Sequence, residues 1–97
     1  MDGPLAFSIV AQFGSTVEVA LCGDVDYTTA PALRDAIEAL FNTGVMSIVI
    51  DASGVTFADT RLLDVLGSFG PERSVTIVRP SEPVELLLDV AERARLT

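Results

Sequence analysis

Hydrophobic residues recur at every second position near the start of this chain. Leu5, Phe7, Ile9 and Ala11 alternate with smaller or polar side chains, and Val17, Val19 and Leu21 repeat the pattern after Phe13-Gly14-Ser15. Period-two patterning on both sides of a glycine turn predicts a β-hairpin. A polar connection from Gly23 to Thr29 then leads to Ala30-Pro31, with Thr29 as a candidate N-cap and proline tolerated in a first helical turn. From there the spacing becomes helical. Ala30, Leu33, Ala36, Ile37, Leu40 and Phe41 share one side and Arg34, Asp35 and Glu38 the other, until Asn42-Thr43-Gly44 stops the helix.

The run from Val45 to Ile50 is short and β-branched, with the look of a central strand buried on both faces, and Asp51 marks its carboxyl end. Residues 52–58 read as a loop. Asp59-Thr60-Arg61 opens a short second helix carrying Leu62, Leu63, Val65, Leu66 and Phe69, which Gly67 and Gly70-Pro71 end. Ser74 to Val78 supplies another strand, and Ser81 stands where it can cap a last helix. That helix has Val84, Leu87, Leu88 and Ala91 at core spacing, with Arg93 and Arg95 favourably placed near its C-terminal end. The order β-β-α-β-α-β-α predicts an α/β domain. Its sheet should be mixed, a hairpin followed by parallel strands, with right-handed crossovers and helices packed on one face.

At 97 residues, 49% hydrophobic and 21% charged, the chain is read as one globular domain spanning 1–97, too small for a large ligand cavity. Fourteen acidic against six basic residues give a net charge of -8, which opposes nucleic acid and anionic membranes and favours solubility or a basic partner. The opening MDGPLAF has neither a basic region nor a long apolar run, and no segment approaches the ~20 apolar residues of a membrane span. The expected location is cytoplasmic. Cys22, alone and among alternating apolar residues, is expected to be a buried strand thiol in a reducing compartment.

The absence of histidine removes the commonest general base and metal ligand, and one cysteine cannot build a thiolate cluster. No cofactor or metal is expected. Asp26, Asp51 and Asp59 follow or precede predicted elements in a way that lets three loops converge, but aspartate there is also a common turn and capping residue. Thr60 is the sharper candidate. A hydroxyl in the first turn of a helix suits a phosphorylation site, with capping by Asp59 or Thr60 as the structural alternative.

Two segments together resemble the STAS family, the domain shared by sulphate transporters and anti-sigma-factor antagonists. Gly23-Asp24-Val25-Asp26-Tyr27-Thr28-Thr29-Ala30-Pro31-Ala32-Leu33 is similar to that family's G-E-L-D-x-x-T-A stretch, and residues 48–60, ending Ser53-Gly54-Val55-Thr56-Phe57-Ala58-Asp59-Thr60, to its strand, L-S-G-V-x-F-x-D-S loop and helix start. The resemblance implies a STAS-like fold and a protein-binding switch that is not itself an enzyme. Thr60 matches the phosphoacceptor, Asp26 the nearby acidic residue, and Asp26, Asp59, Thr60, Arg61 and Asp64 would form the partner surface. The implied partner is an anti-sigma factor with serine/threonine kinase activity, to which ATP would belong, and a homodimer is a further pairing to consider. The family's D-S-[ST]-G-L-G-V-L is here Asp59-Thr60-Arg61-Leu62-Leu63-Asp64-Val65-Leu66. Leu62 and Asp64 therefore put bulk and charge where glycines would let a partner approach. The alternative reading is a STAS subunit or scaffold that binds constitutively to a transporter ATPase or signalling complex, with Thr60 only a helix cap.

Overall fold

A computed structural model describes residues 5–96, apart from the side chains of Arg95 and Leu96, so the expected role of Arg95 lies outside the described residues. Seven elements follow the expected order: β1 (Ala6–Phe13), β2 (Thr16–Val25), α1 (Ala30–Phe41), β3 (Ser47–Ala58), α2 (Thr60–Leu66), β4 (Ser74–Val78) and α3 (Glu82–Leu96). The sheet order is β1-β2-β3-β4, with β1 antiparallel to β2 and the other pairs parallel.

Alternation in β2 and β3 separates two faces. Val17, Val19 and Leu21 of β2 and Ile48, Ile50 and Ala52 of β3 are buried in one cluster with Leu33, Ile37 and Phe41 of α1, Leu62 and Val65 of α2, and Val84 of α3. All three helices thus cover one face. Each fully buried Leu, Ile or Val is worth roughly 1.5–3 kcal/mol of transfer free energy, so this cluster is the main stabilising term. The other face carries Glu18, Ala20 and Cys22 of β2 and Val49 and Asp51 of β3, and among the described residues no helix lies on it.

That uncovered face corrects two expectations. β3 is central but buried on one side only, because Val49 and Asp51 alternate with its core residues. Cys22 is exposed, since its even position in β2 turns it away from the helices. Strand lengths also differ from expectation. β2 runs on through Gly23 (φ 101°) to buried Val25, and β3 continues past Asp51 to Ala58, taking in the residues read as a loop. The two extensions pair with each other, Cys22 with Gly54 and Val25 with Ala58, across two register irregularities. Mutual backbone pairing outweighs weak local strand propensity here. In β1 an irregularity between Ile9 and Ala11 breaks the alternation, so Ala11 pairs with Glu18 on the open face; Ile9, paired with core residue Val19, is nonetheless 56% exposed.

The caps depart from expectation too. The Thr29 hydroxyl does not cap α1; it donates to the Asp24 carbonyl at 2.8 Å and accepts from the Asp26 N–H at 3.0 Å. Ser81 precedes α3 and its carbonyl accepts the Glu85 N–H, while its buried Oγ has no hydrogen-bond partner among the described residues. Gly67 ends α2 as expected, and Phe69 beyond it packs on Phe41 with ring centroids 5.3 Å apart.

Gly54 leaves no room for a side chain between β3 and β2. A Cβ added there would lie 2.5 Å from Cys22 Sγ and 3.2 Å from the Leu21 carbonyl oxygen. Gly54→Ala should therefore destabilise the fold by about 1–3 kcal/mol. Cys22→Ala in the same chain should recover part of that loss, because the sulfur is then gone and the carbonyl is not. Urea unfolding of the two single variants and the double variant checks this; additive costs would show that the sulfur is not the obstacle.

Candidate functional site

The parallel register that pairs Val25 with Ala58 brings two acidic turns side by side, because Asp26 follows the first residue and Asp59 the second. The Asp59 N–H donates to the Val25 carbonyl at 3.2 Å, tying the two strand ends directly. Asp51 does not join them. It lies seven residues before Ala58 in β3, level with Ala20 and Val78, so the expected three-way convergence reduces to Asp26 and Asp59.

Each carboxylate of the pair organises the turn that follows it. Asp26 Oδ1 accepts from the Thr28 hydroxyl at 2.6 Å, the Thr28 N–H at 2.9 Å and the Thr29 N–H at 3.2 Å, and the Asp26 carbonyl accepts the Ala30 N–H at 2.8 Å. The Thr28 hydroxyl and N–H, followed by Thr29, hold the Asp26 carboxyl below its ordinary pKa. Asp59 is the N-cap of α2, its Oδ1 accepting the Arg61 N–H at 2.9 Å, a cap worth about 1 kcal/mol. With Asp59 in that role, Thr60 is the first residue of α2, exposed and with a free hydroxyl.

Arg61 and Asp64 are exposed on the same short helix, whereas Leu62 is fully buried. The bulk expected at a partner surface at position 62 is therefore core packing, and only Asp64 places an added group in solvent. α1 packs beside α2, and an open groove of about 320 Å³ lies between them. Arg61 and Asp64 line it from α2; Tyr27, Arg34 and Asp35 line it from α1 and the turn before. Sequence patterning put Arg34 and Asp35 on the polar side of their helix and did not single out Tyr27. The one available signal was an aromatic residue in a polar turn, which the structure leaves 71% exposed.

Asp51 serves the open face of the sheet. Its carboxylate accepts from the Ser53 N–H at 3.0 Å and from Arg79 Nε at 2.9 Å, and the same guanidinium reaches Glu18. Ser53 first and Arg79 second lower the Asp51 pKa from 3.8 to about 2. Arg79 takes a left-handed backbone conformation, φ 46°, at the end of β4, unusual for a non-glycine residue. The pair of carboxylates across β2 and β3 holds its side chain over the sheet. Among the described residues no helix is long and apolar enough to cross a membrane.

Comparison with known proteins agrees with this architecture. Residues 9–97 match the model of the family described as Mlab, STAS domain. The unphosphorylated form of the anti-sigma factor antagonist SpoIIAA is structurally similar, with TM-score 0.74 at 18% identity, covering 90% of this chain and 81% of that one. An anti-sigma factor antagonist from Mycobacterium paratuberculosis gives TM-score 0.69 at 22% identity, covering 94% of this chain and 82% of that one. No curated protein matches the sequence.

Two outcomes follow from this geometry. Leu62→Gly should cost about 3–6 kcal/mol, from a core cavity plus lost helix propensity, while Asp64→Gly should cost about 1 kcal/mol or less; denaturant melts of both variants check it. Acid stability is the other. A carboxylate whose folded pKa is depressed contributes stability above its unfolded pKa and loses it as pH falls through the folded one. For Asp51 that window runs from 3.8 down to about 2, and the Asp26 shift acts in the same direction. Asp51→Asn should make stability fall less steeply across that window, measured as the urea midpoint against pH; an unchanged slope would remove Asp51 from the account.

Proposed function

Because this chain belongs to the STAS domain family, whose model spans residues 9–97, we propose that it is an anti-sigma-factor antagonist, a switch that works by binding another protein. The contact surface is formed by the Asp26 and Asp59 turns with Thr60, Arg61 and Asp64. The observation that carries this reading is the Val25–Ala58 pairing, which supports a preformed surface in which both carboxylates are used to hold backbone while the exposed Thr60 hydroxyl beside Asp59 is not. The structural likeness to two proteins described as anti-sigma factor antagonists, one of them in an unphosphorylated form, supports the same direction.

The partner is an anti-sigma factor with serine/threonine kinase activity. In the regulatory step Thr60 Oγ1 attacks the γ-phosphorus of ATP held by that partner. The bond to ADP breaks, the hydroxyl proton leaves to solvent or a partner base, and phosphothreonine remains. The new group carries about -1.5 to -2 charges on a surface that already holds Asp26, Asp59 and Asp64, so it weakens the bound state by repulsion and desolvation. A second reading, constitutive binding as a subunit or scaffold, is supported by Asp64, an exposed charge one turn beyond Thr60. Leu62 gives that reading no support, since it is buried.

Titration of the chain against the kinase-type anti-sigma factors of its own genome, with and without labelled ATP, tests the proposal. Binding with phosphate incorporation lost in Thr60→Val is the expected result. Binding without incorporation would favour the constitutive reading, and no binding would remove the antagonist assignment. Thr60→Glu should weaken binding at least tenfold yet leave the melting temperature within a few degrees, because a negative charge near a helix start is locally favourable by roughly 0.3–1 kcal/mol.

A further inference from the structure

The groove between α1 and α2 has an apolar floor and a charged rim. Ala30 and Val65 are buried beneath it, Pro31 and Tyr27 stand at its sides, and the Tyr27 ring is largely in solvent. Its rim holds Arg34, Asp35, Arg61 and Asp64. None of these four side chains makes an ion pair among the described residues, whereas Arg79 is held by Glu18 and Asp51, Arg93 by Asp89, and Arg73 stacks over Phe41. Two positive and two negative side chains make the rim electrically neutral in a protein of net charge -8. A space of about 320 Å³ lies at the lower limit for small-molecule sites and fits one large side chain.

We infer that this groove takes a single apolar anchor residue on an amphipathic helix of the protein partner, flanked on that helix by side chains of both charge signs. The inference rests on the protein-binding reading above and names the chemistry of what is bound. An anchor entering a desolvated floor inside a charged ring is the arrangement that concentrates binding energy at interfaces. The rim supplies selection. A uniformly basic helix, which the net charge alone would favour, meets Arg34 and Arg61, and a uniformly acidic one meets Asp35 and Asp64; only a mixed sequence pairs all four. Tyr27, Arg34 and Asp35 thereby become partner-selecting residues on α1 and its preceding turn, opposite the phosphoacceptor helix.

The test has two arms. In the first, Arg34→Glu and Tyr27→Ala, both at exposed positions, are titrated against the kinase-type anti-sigma factors used above. If wild type binds, the groove reading expects at least a tenfold loss for each variant; unchanged affinity would overturn it while leaving the antagonist assignment intact. In the second arm the probes are three synthetic, side-chain-stapled helical peptides with one central Phe, flanked by Glu and Arg, by Lys alone, or by Glu alone. Amide and side-chain NMR shifts on the intact chain are read at Tyr27 and Val65. Shifts that saturate for the mixed peptide at concentrations at least tenfold below either uniform peptide support the proposal, even if no anti-sigma factor binds. Equal response to all three, or none, refutes it. Arg34→Glu should exchange the preference in favour of the Lys-flanked peptide, an outcome that partial unfolding would not produce.

Discussion

Parallel pairing of β2 with β3, from Thr16 opposite Ser47 to Val25 opposite Ala58, is the constraint on which both the core and the candidate surface depend. The residues it joins are about thirty apart in sequence, so the chain must close a long loop before any reward arrives. The reward is the apolar stripe of Val17, Val19 and Leu21 beside Ile48, Ile50 and Ala52, over which all three helices pack. A slip of β3 by one residue against β2 would turn Ile48, Ile50 and Ala52 to the open face. The same slip would part the Asp26 and Asp59 turns, so core and surface share a single geometric requirement.

The acidic residues at the strand ends have a double character that follows from this. Asp26 uses its carboxylate on Thr28 and Thr29, and Asp59 uses its own on the Arg61 N–H, so both stiffen the backbone around a neighbour that they do not bond. Thr60 is left with a free hydroxyl on a rigid mount. Under the proposed charge switch, turns already satisfied internally could not absorb a phosphate on Thr60 by rearranging their own hydrogen bonds, so its charge would be felt by whatever docks there.

The two faces of the sheet solve different problems. The helix face is buried and apolar, whereas the open face carries Glu18, Ala20, Cys22, Val49 and Asp51 and is crossed by the Glu18–Arg79–Asp51 bridge. Arg79 reaches both carboxylates from a left-handed backbone conformation at the end of β4. Its guanidinium thus spans β2 and β3 from the edge strand. With Arg79 and Arg93 paired and Arg73 stacked, unpaired guanidinium groups among the described side chains are confined to Arg34 and Arg61 at one groove.

By itself the sequence determined the element order, the core of α1 and the start of α2, because those depend on periodicity and caps that act within a few residues. Leu33, Ile37 and Phe41 are buried as their spacing requires, and Asp59 caps the helix it precedes. The motif around Asp26 and Thr60 likewise carried the family, since a short pattern of turn residues records the geometry of two adjoining strand ends. Tertiary structure alone decided the rest. Residues 52–58 became strand because β2 offered backbone partners, a choice with no local signal in Ser53-Gly54. Cys22 faces solvent and Leu62 the core because the sheet has one covered face, and composition says nothing of which. Arg34 and Arg61 line one groove only because α1 and α2 pack side by side, a proximity set by the core beneath them and invisible along the chain.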